Sequence, residues 1–235
     1  MDIQIKIPSY FREKELNIRE VLSTNLYNLK TNNTTLDPIL LNKLLQKIKK
    51  NKIDNVIIEA SSHGLKQSRL HGLNIKNGIF TNLSRDHLDY HKSYKDYLNS
   101  KLILFKNILK IRSNIITDID IPQYKLINNI AKKKKLKITS IGSNRGSLKV
   151  IKHSYKGEKQ LFKIKYKNKN YNLTLNLIGK VQIKNVLMAM LVAEKSKLKF
   201  KKITNVISKI KNINGRLEKI GRLKNNAKVI LDYAH

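Results

Sequence analysis

The stretch from Ile57 to His91, "IIEASSHGLKQSRLHGLNIKNGIFTNLSRDHLDYH", concentrates side chains able to do chemistry: the acid Glu59, four histidines and the arginines Arg69 and Arg85, with little ordinary surface filler. Glu59 closes the apolar run "NVIIE", and His87 follows the run "GIFTNLS". If the two runs are adjacent parallel strands, both side chains project over one edge of a sheet, where ligands of such sheets sit. A carboxylate and an imidazole there suit a hard cation such as Mg²⁺, whose remaining positions go to water and phosphate oxygens. Either residue alone reads as a cap or a surface histidine. The gathering of Ser61, Ser62, His63, Gln67, Arg69, Arg85, Asp86 and His87 around strand ends favours a site instead.

Positioning such a site takes a scaffold, and the chain alternates strand-like and helix-like segments. "LDPILLNKLLQKIKKN" spaces its apolar residues for a helix, with Asp37 to cap it and Pro38 in the first turn. "NVIIEA" and "NGIFTNLS" read as buried parallel strands. "SYKDYLNSKLILFKNIL" is helical behind a Ser93 cap, followed by strand "SNIITDID", helix "IPQYKLINNIAKKKK" and strand "KITSIGS". This predicts an α/β fold: a mostly parallel sheet flanked by helices. From about 147 to 178 the period changes to two, with turn signals at "KGEK" and "KNKN", which predicts a small antiparallel side sheet. Two helical segments follow, and "AKVILDYAH" gives a last buried-strand pattern.

The chain has 235 residues and a formal net charge of +33, which raises nucleic acid or an anionic surface as a partner. Lysines are scattered through every kind of segment rather than clustered with aromatics on one face, so compositional drift is the better reading. There is no cysteine, which excludes disulfides, thiolate metal sites and cysteine nucleophiles. No apolar run approaches the length of a spanning helix and the start lacks the core of a signal peptide, so a soluble, cytoplasmic protein is expected, without a membrane partner.

"EASSHGLKQSRLHGL" followed by "FTNLSRDHLDYH" resembles the central, ATP-binding domain of the Mur ligases, in particular the tripeptide-synthetase branch. "NNTTLDPILL", "YKDYLNSKLILF", "LIGKVQIKNVLMAMLVA", "INGRLEKI" and "VILDYAH" are similar to further family motifs, in family order. The resemblance implies a P-loop-NTPase-like domain over about 31–235, preceded by an atypical segment 1–30. It implies that Glu59 and His87 are magnesium ligands and that Lys101 is a lysine modified to a carbamate, which turns a cation into an anion able to help hold a second Mg²⁺. It implies that Asn33, Thr34, Thr35, Ser61, Gln67 and Arg69 hold a UDP-muramoyl-peptide, and that Asn185, Arg216 and Asp232 lie by the nucleotide. Gln182 replaces an asparagine of the family helix.

The activity so implied is ATP-dependent addition of a third amino acid, diaminopimelate or lysine, to UDP-N-acetylmuramoyl-L-alanyl-D-glutamate in peptidoglycan synthesis, through an acyl phosphate. The partners are ATP, that sugar nucleotide and the amino acid. The loop G-x-x-x-x-G-K-[ST] occurs nowhere in the sequence; "GSNRGSLK" is the nearest match, with the wrong spacing. The expectation is therefore a piece of a ligase, from a truncated gene, a partial sequence or a split enzyme in need of its missing domains, and inactive alone. The alternative is a non-enzymatic anion or nucleic-acid binding module.

Overall fold

A computed structural model describes residues 34–53, 55–210 and 214–233. The segment 1–30 and Asn33 lie outside the described residues. The helices are α1 (Pro38–Lys50), α2 (Ser62–Lys66), α3 (Tyr94–Ile103), α4 (Tyr124–Lys133), α5 (Lys180–Lys195) and α6 (Phe200–Val206). The strands are β1 (Asn77–Phe80), β2 (Asn114–Asp118), β3 (Lys137–Gly142), β4 (Leu148–Lys156), β5 (Lys159–Tyr166), β6 (Lys169–Leu175), β7 (Glu218–Arg222) and β8 (Lys228–Leu231). β1 to β6 form one sheet in sequence order, and β7 pairs with β8 separately. β1, β2 and β3 run parallel: the Asn114 amide reaches Lys76 O, Thr117 Oγ1 reaches Phe80 O, the Lys137 amide reaches Ser113 O and the Ile119 amide reaches Ile141 O. β4 joins β3 in parallel at Ile141–Leu148 and Gly142–Lys149, and β4, β5 and β6 are antiparallel.

The described residues group into two compact units. The first takes 34–78, 83–115 and 125–137. Its core is built by α1 (Leu41, Leu44, Ile48), by Leu65 and Leu70, and by the end of α3 with the π-helical turn Leu104–Ile108. Local chemistry sets its helix starts. Asp37 Oδ1 accepts the Ile39 and Leu40 amides with Pro38 at N1, and Ser93 Oγ accepts the Asp96 amide. The second unit takes 79–82, 116–124 and 138–233 of the described residues. There β5 buries Gln160, Phe162, Ile164 and Tyr166 on one face, and α5 buries Ile183, Leu187, Met190 and Leu191.

Two expected strands differ. Asn55–Ala60 forms no ladder, and its side chains alternate between exposed and half-buried, with Ile57 42% exposed. No described strand pairs with it, so its apolar pattern is not matched by burial on both faces. Residues 228–231 do form a strand, but an exposed one, paired antiparallel with β7 rather than buried in a parallel sheet. A short apolar run reads the same in either setting; its partner decides.

The β4–β5 turn carries Glu158, which meets Lys219 Nζ at 2.7 Å, Arg222 Nη2 at 2.7 Å and Lys228 Nζ at 3.5 Å. The hydrogen bond from Lys219, aided by Arg222 and Lys228, holds the carboxyl down to about 2 from its ordinary 4.5. As pH falls the unfolded chain takes up this proton first, so the stabilisation is complete above 4.5 and is lost between 4.5 and about 2. Wild type should therefore melt above Glu158→Gln at pH 6, with the gap closing by about pH 2 and shrinking in high salt. A gap unchanged across that range in thermal melts would contradict the assignment.

Candidate functional site

Within the first unit, Thr35 organises the loop that leads into α2. Thr35 is 1% exposed. Its Oγ1 donates to Glu59 O at 2.8 Å, lies 2.9 Å from Ser61 Oγ and accepts the Ser61 amide at 3.0 Å. Ser61 caps α2, its Oγ accepting the Gly64 amide at 3.1 Å. Arg69 Nη1 donates to Thr35 O at 2.6 Å, Arg69 Nη2 donates to Gln67 Oε1, and Gln67 Nε2 donates to Tyr90 Oη at 3.2 Å. Four of the residues singled out in the sequence, Thr35, Ser61, Gln67 and Arg69, are thus one hydrogen-bonded network of hydroxyl, amide and guanidinium groups. Thr34 adjoins it at the chain's first described position.

Glu59 and His87 are both exposed, and Lys101 is half-buried on α3. His87 takes a left-handed φ of 56°, its amide bonded to Asp86 Oδ1 at 2.7 Å. Tyr97 neighbours both basic groups: its ring is edge-on to His87 with centroids 5.7 Å apart, and Lys101 Nζ is 5.2 Å from its centre. Burial lowers the Lys101 pKa, while the charges of Glu59 and Asp86 pull it back up. So Glu59, Asp86, His87 and Lys101 share one neighbourhood. Among the described residues no three of His, Cys, Asp and Glu are arranged to hold a metal ion.

The remaining candidates belong to the second unit. Arg216 Nη1 donates to Tyr233 O at 3.4 Å, and Asp232 Oδ1 accepts the Leu217 amide at 3.2 Å, so Arg216 and Asp232 close the base of the β7–β8 hairpin together. Asn185 and Gln182 are half-buried on α5, whose N-cap Gly179 has φ 88° and packs against Leu217. Next to Asn185, Lys184 Nζ reaches the buried carboxylate of Asp118 at 2.6 Å. The sequence patterns do not single out three participants: Tyr90, which takes the Gln67 amide; Tyr97, whose ring neighbours His87 and Lys101; and Asp96, which anchors Lys66 at 2.7 Å. Tyr90 lies inside the dense stretch, and its position one residue before His91 was the available signal.

The fold is an α/β domain with a mostly parallel sheet, and comparison with known proteins places it in a family. The family model of the Mur ligase middle domain matches residues 9–193, taking in residues 9–30 as well. The chain belongs to that family. It is 36% identical over 202 residues to the UDP-N-acetylmuramoyl-L-alanyl-D-glutamate--2,6-diaminopimelate ligase of Rickettsia bellii (strain RML369-C), covering 86% of this chain and 42% of that protein. The protein of the same name from Chelativorans sp. (strain BNC1) is 34% identical over 203 residues, again 86% of this chain and 42% of its own length. A solved structure of a UDP-N-acetylmuramoyl-L-alanyl-D-glutamate--2,6-diaminopimelate ligase superposes with a TM-score of 0.72 at 26% identity, over 80% of this chain and 39% of that one. The chain spans about two fifths of the length of the relatives it matches. No helix among the described residues is long and apolar enough to cross a membrane.

Proposed function

We propose that this chain supplies the middle domain of an ATP-dependent ligase that extends UDP-N-acetylmuramoyl-L-alanyl-D-glutamate by a third amino acid, with residues 31–235 as its motif-bearing part. The names of the relatives favour diaminopimelate over lysine as that amino acid. The observation that carries the reading is the Thr35–Ser61–Gln67–Arg69 network, together with the half-buried Lys101, whose charged form the Glu59 and Asp86 carboxylates favour against burial. Guanidinium, amide and hydroxyl groups match the diphosphate and sugar oxygens of a nucleotide sugar. By the resemblance, Asn33 and Thr34 are further candidates for the sugar nucleotide, and Asn185, Arg216 and Asp232 are the candidates for ATP.

Glu59 and His87 would hold Mg²⁺, with Lys101 joining them once carbamylated. Burial favours the neutral Lys101 amine, the form whose lone pair attacks carbon dioxide and releases a proton. Bound there, Mg²⁺ would offset the charge of two anionic reactants. Thr35 and Ser61 orient the loop, and Arg69 supplies a fixed positive charge.

The test is titration calorimetry of the 235-residue chain with UDP-N-acetylmuramoyl-L-alanyl-D-glutamate at moderate salt. Weak binding is expected, and Arg69→Ala should weaken it by about tenfold or more, the value of one charge-assisted pair. A chain that ignores this ligand but binds DNA with a steep salt dependence would sink the proposal.

A further inference from the structure

His91 is buried, with 1% of its surface exposed. Its Nε2 lies 2.9 Å from Ser62 Oγ, and Ser62 is itself 3% exposed. Its Nδ1 is buried, makes no hydrogen bond and lies 3.5 Å from Asp96 Oδ2. Asp96 Oδ2 in turn takes Lys66 Nζ at 2.7 Å and the Lys92 amide at 3.3 Å. Burial keeps the imidazole below its ordinary pKa. A neutral ring with its proton on Nδ1, toward the carboxylate, leaves the Nε2 lone pair for the Ser62 hydroxyl.

Serine, histidine and acid in this order also describe a nucleophilic triad. A nucleophile must be reachable, and Ser62 is enclosed, so the arrangement does not serve attack on a substrate. Its endpoints are informative instead. Ser62 is the first residue of α2 and Lys66 is the last. A five-residue helix cannot sustain itself in water. Here it is gripped at its first residue by His91 and at its last by Asp96.

We propose that His91 is a positioning residue for the sugar-nucleotide site: through Ser62 it fixes α2, and with it Ser61, Gln67 and Arg69, in the geometry that receives the ligand. The inference rests on the reading given under Proposed function. It does not follow from packing alone, because phenylalanine would fill the same space between Tyr90 and Tyr97, whose rings lie 4.9 and 5.1 Å from the imidazole.

The experiment compares wild type, His91→Phe, His91→Gln, Ser62→Ala and the His91→Phe/Ser62→Ala pair. Each is read by binding of UDP-N-acetylmuramoyl-L-alanyl-D-glutamate, by exchange of the Gly64 amide and by thermal melting. His91→Phe and Ser62→Ala should each weaken binding by about tenfold and speed Gly64 exchange, the pair losing no more than either alone. His91→Gln, which can still meet the Ser62 hydroxyl, should recover most of the affinity. Wild-type affinity in His91→Phe, or a His91→Gln as weak as His91→Phe, overturns the proposal. Should His91→Phe fail to fold, Ser62→Ala decides alone: unchanged affinity and exchange there overturn it. A wild-type chain that does not bind this ligand defeats the sugar-nucleotide reading itself, and the positioning role with it.

Discussion

Gly64→Ala should destabilise the chain by about 2 kcal/mol, although alanine at a helical position ordinarily stabilises by about 1 kcal/mol over glycine. The sign is the test. A Cβ built on Gly64 would lie 2.6 Å from Thr35 Cβ and 2.8 Å from both Thr35 Cγ2 and Oγ1. Thr35 cannot give way cheaply. It is β-branched and buried, its Oγ1 binds Glu59 O and both the amide and the hydroxyl of Ser61, and its carbonyl takes Arg69. Moving it trades overpacking, about 1–3 kcal/mol, against hydrogen bonds worth about 0.5–1.5 kcal/mol each. The melting midpoint should fall by about 4–8 °C for a chain of this size. Affinity for the sugar nucleotide should fall with it, since the displaced groups are those proposed to bind. Gly157, at φ 58° with nothing within 4 Å of its Cβ, is a control whose alanine substitution strains only the turn. A Gly64→Ala variant that melts higher than wild type would mean that the contact yields freely.

How much of this was legible in the sequence depended on how local the cause was. α1 and α3 could be read because Asp37–Pro38 and Ser93 carry their capping chemistry within three residues. The β4–β6 ribbon could be read from period two and its turns, and it occupies 148–175. Asn55–Ala60 and Lys228–Leu231 were misjudged because an apolar run does not encode its partner. The same limit applies to the candidate site. Residue types pointed to Ser61, Gln67 and Arg69, but the grip of Thr35 on Ser61 spans 26 positions and that of His91 on Ser62 spans 29. No periodicity reports such contacts. The need for glycine at 64 is likewise invisible until Thr35 is seen against it.

The 235-residue chain, purified and given ATP, Mg²⁺, UDP-N-acetylmuramoyl-L-alanyl-D-glutamate and diaminopimelate, should release phosphate no faster than a protein-free control. Phosphoryl transfer is catalysed by positioning and charge, supplied in P-loop enzymes by a nest of backbone amides, a lysine on the β- and γ-phosphates and a hydroxyl on the metal. None of the 235 residues forms that motif. Its nearest match, Gly142–Lys149, joins strand β3 to strand β4 rather than opening a helix. One amide there is also committed, the Ser143 amide donating to Asp120 Oδ2 at 2.8 Å, and the Arg145 guanidinium Nε lies 3.9 Å from Asp120 Oδ1. The Asp120 carboxylate held against that loop repels a polyphosphate. What the described residues do assemble, Arg69 with its network and Lys101 near Glu59 and Asp86, is proposed above to serve the sugar nucleotide and the metal ions rather than the β-phosphate. Binding without turnover is therefore the expected behaviour, with calorimetric heat from the sugar nucleotide and none of the phosphate signal. Phosphate release that requires the sugar nucleotide and disappears in Lys101→Ala would show that these residues hold and activate ATP without a glycine-rich loop.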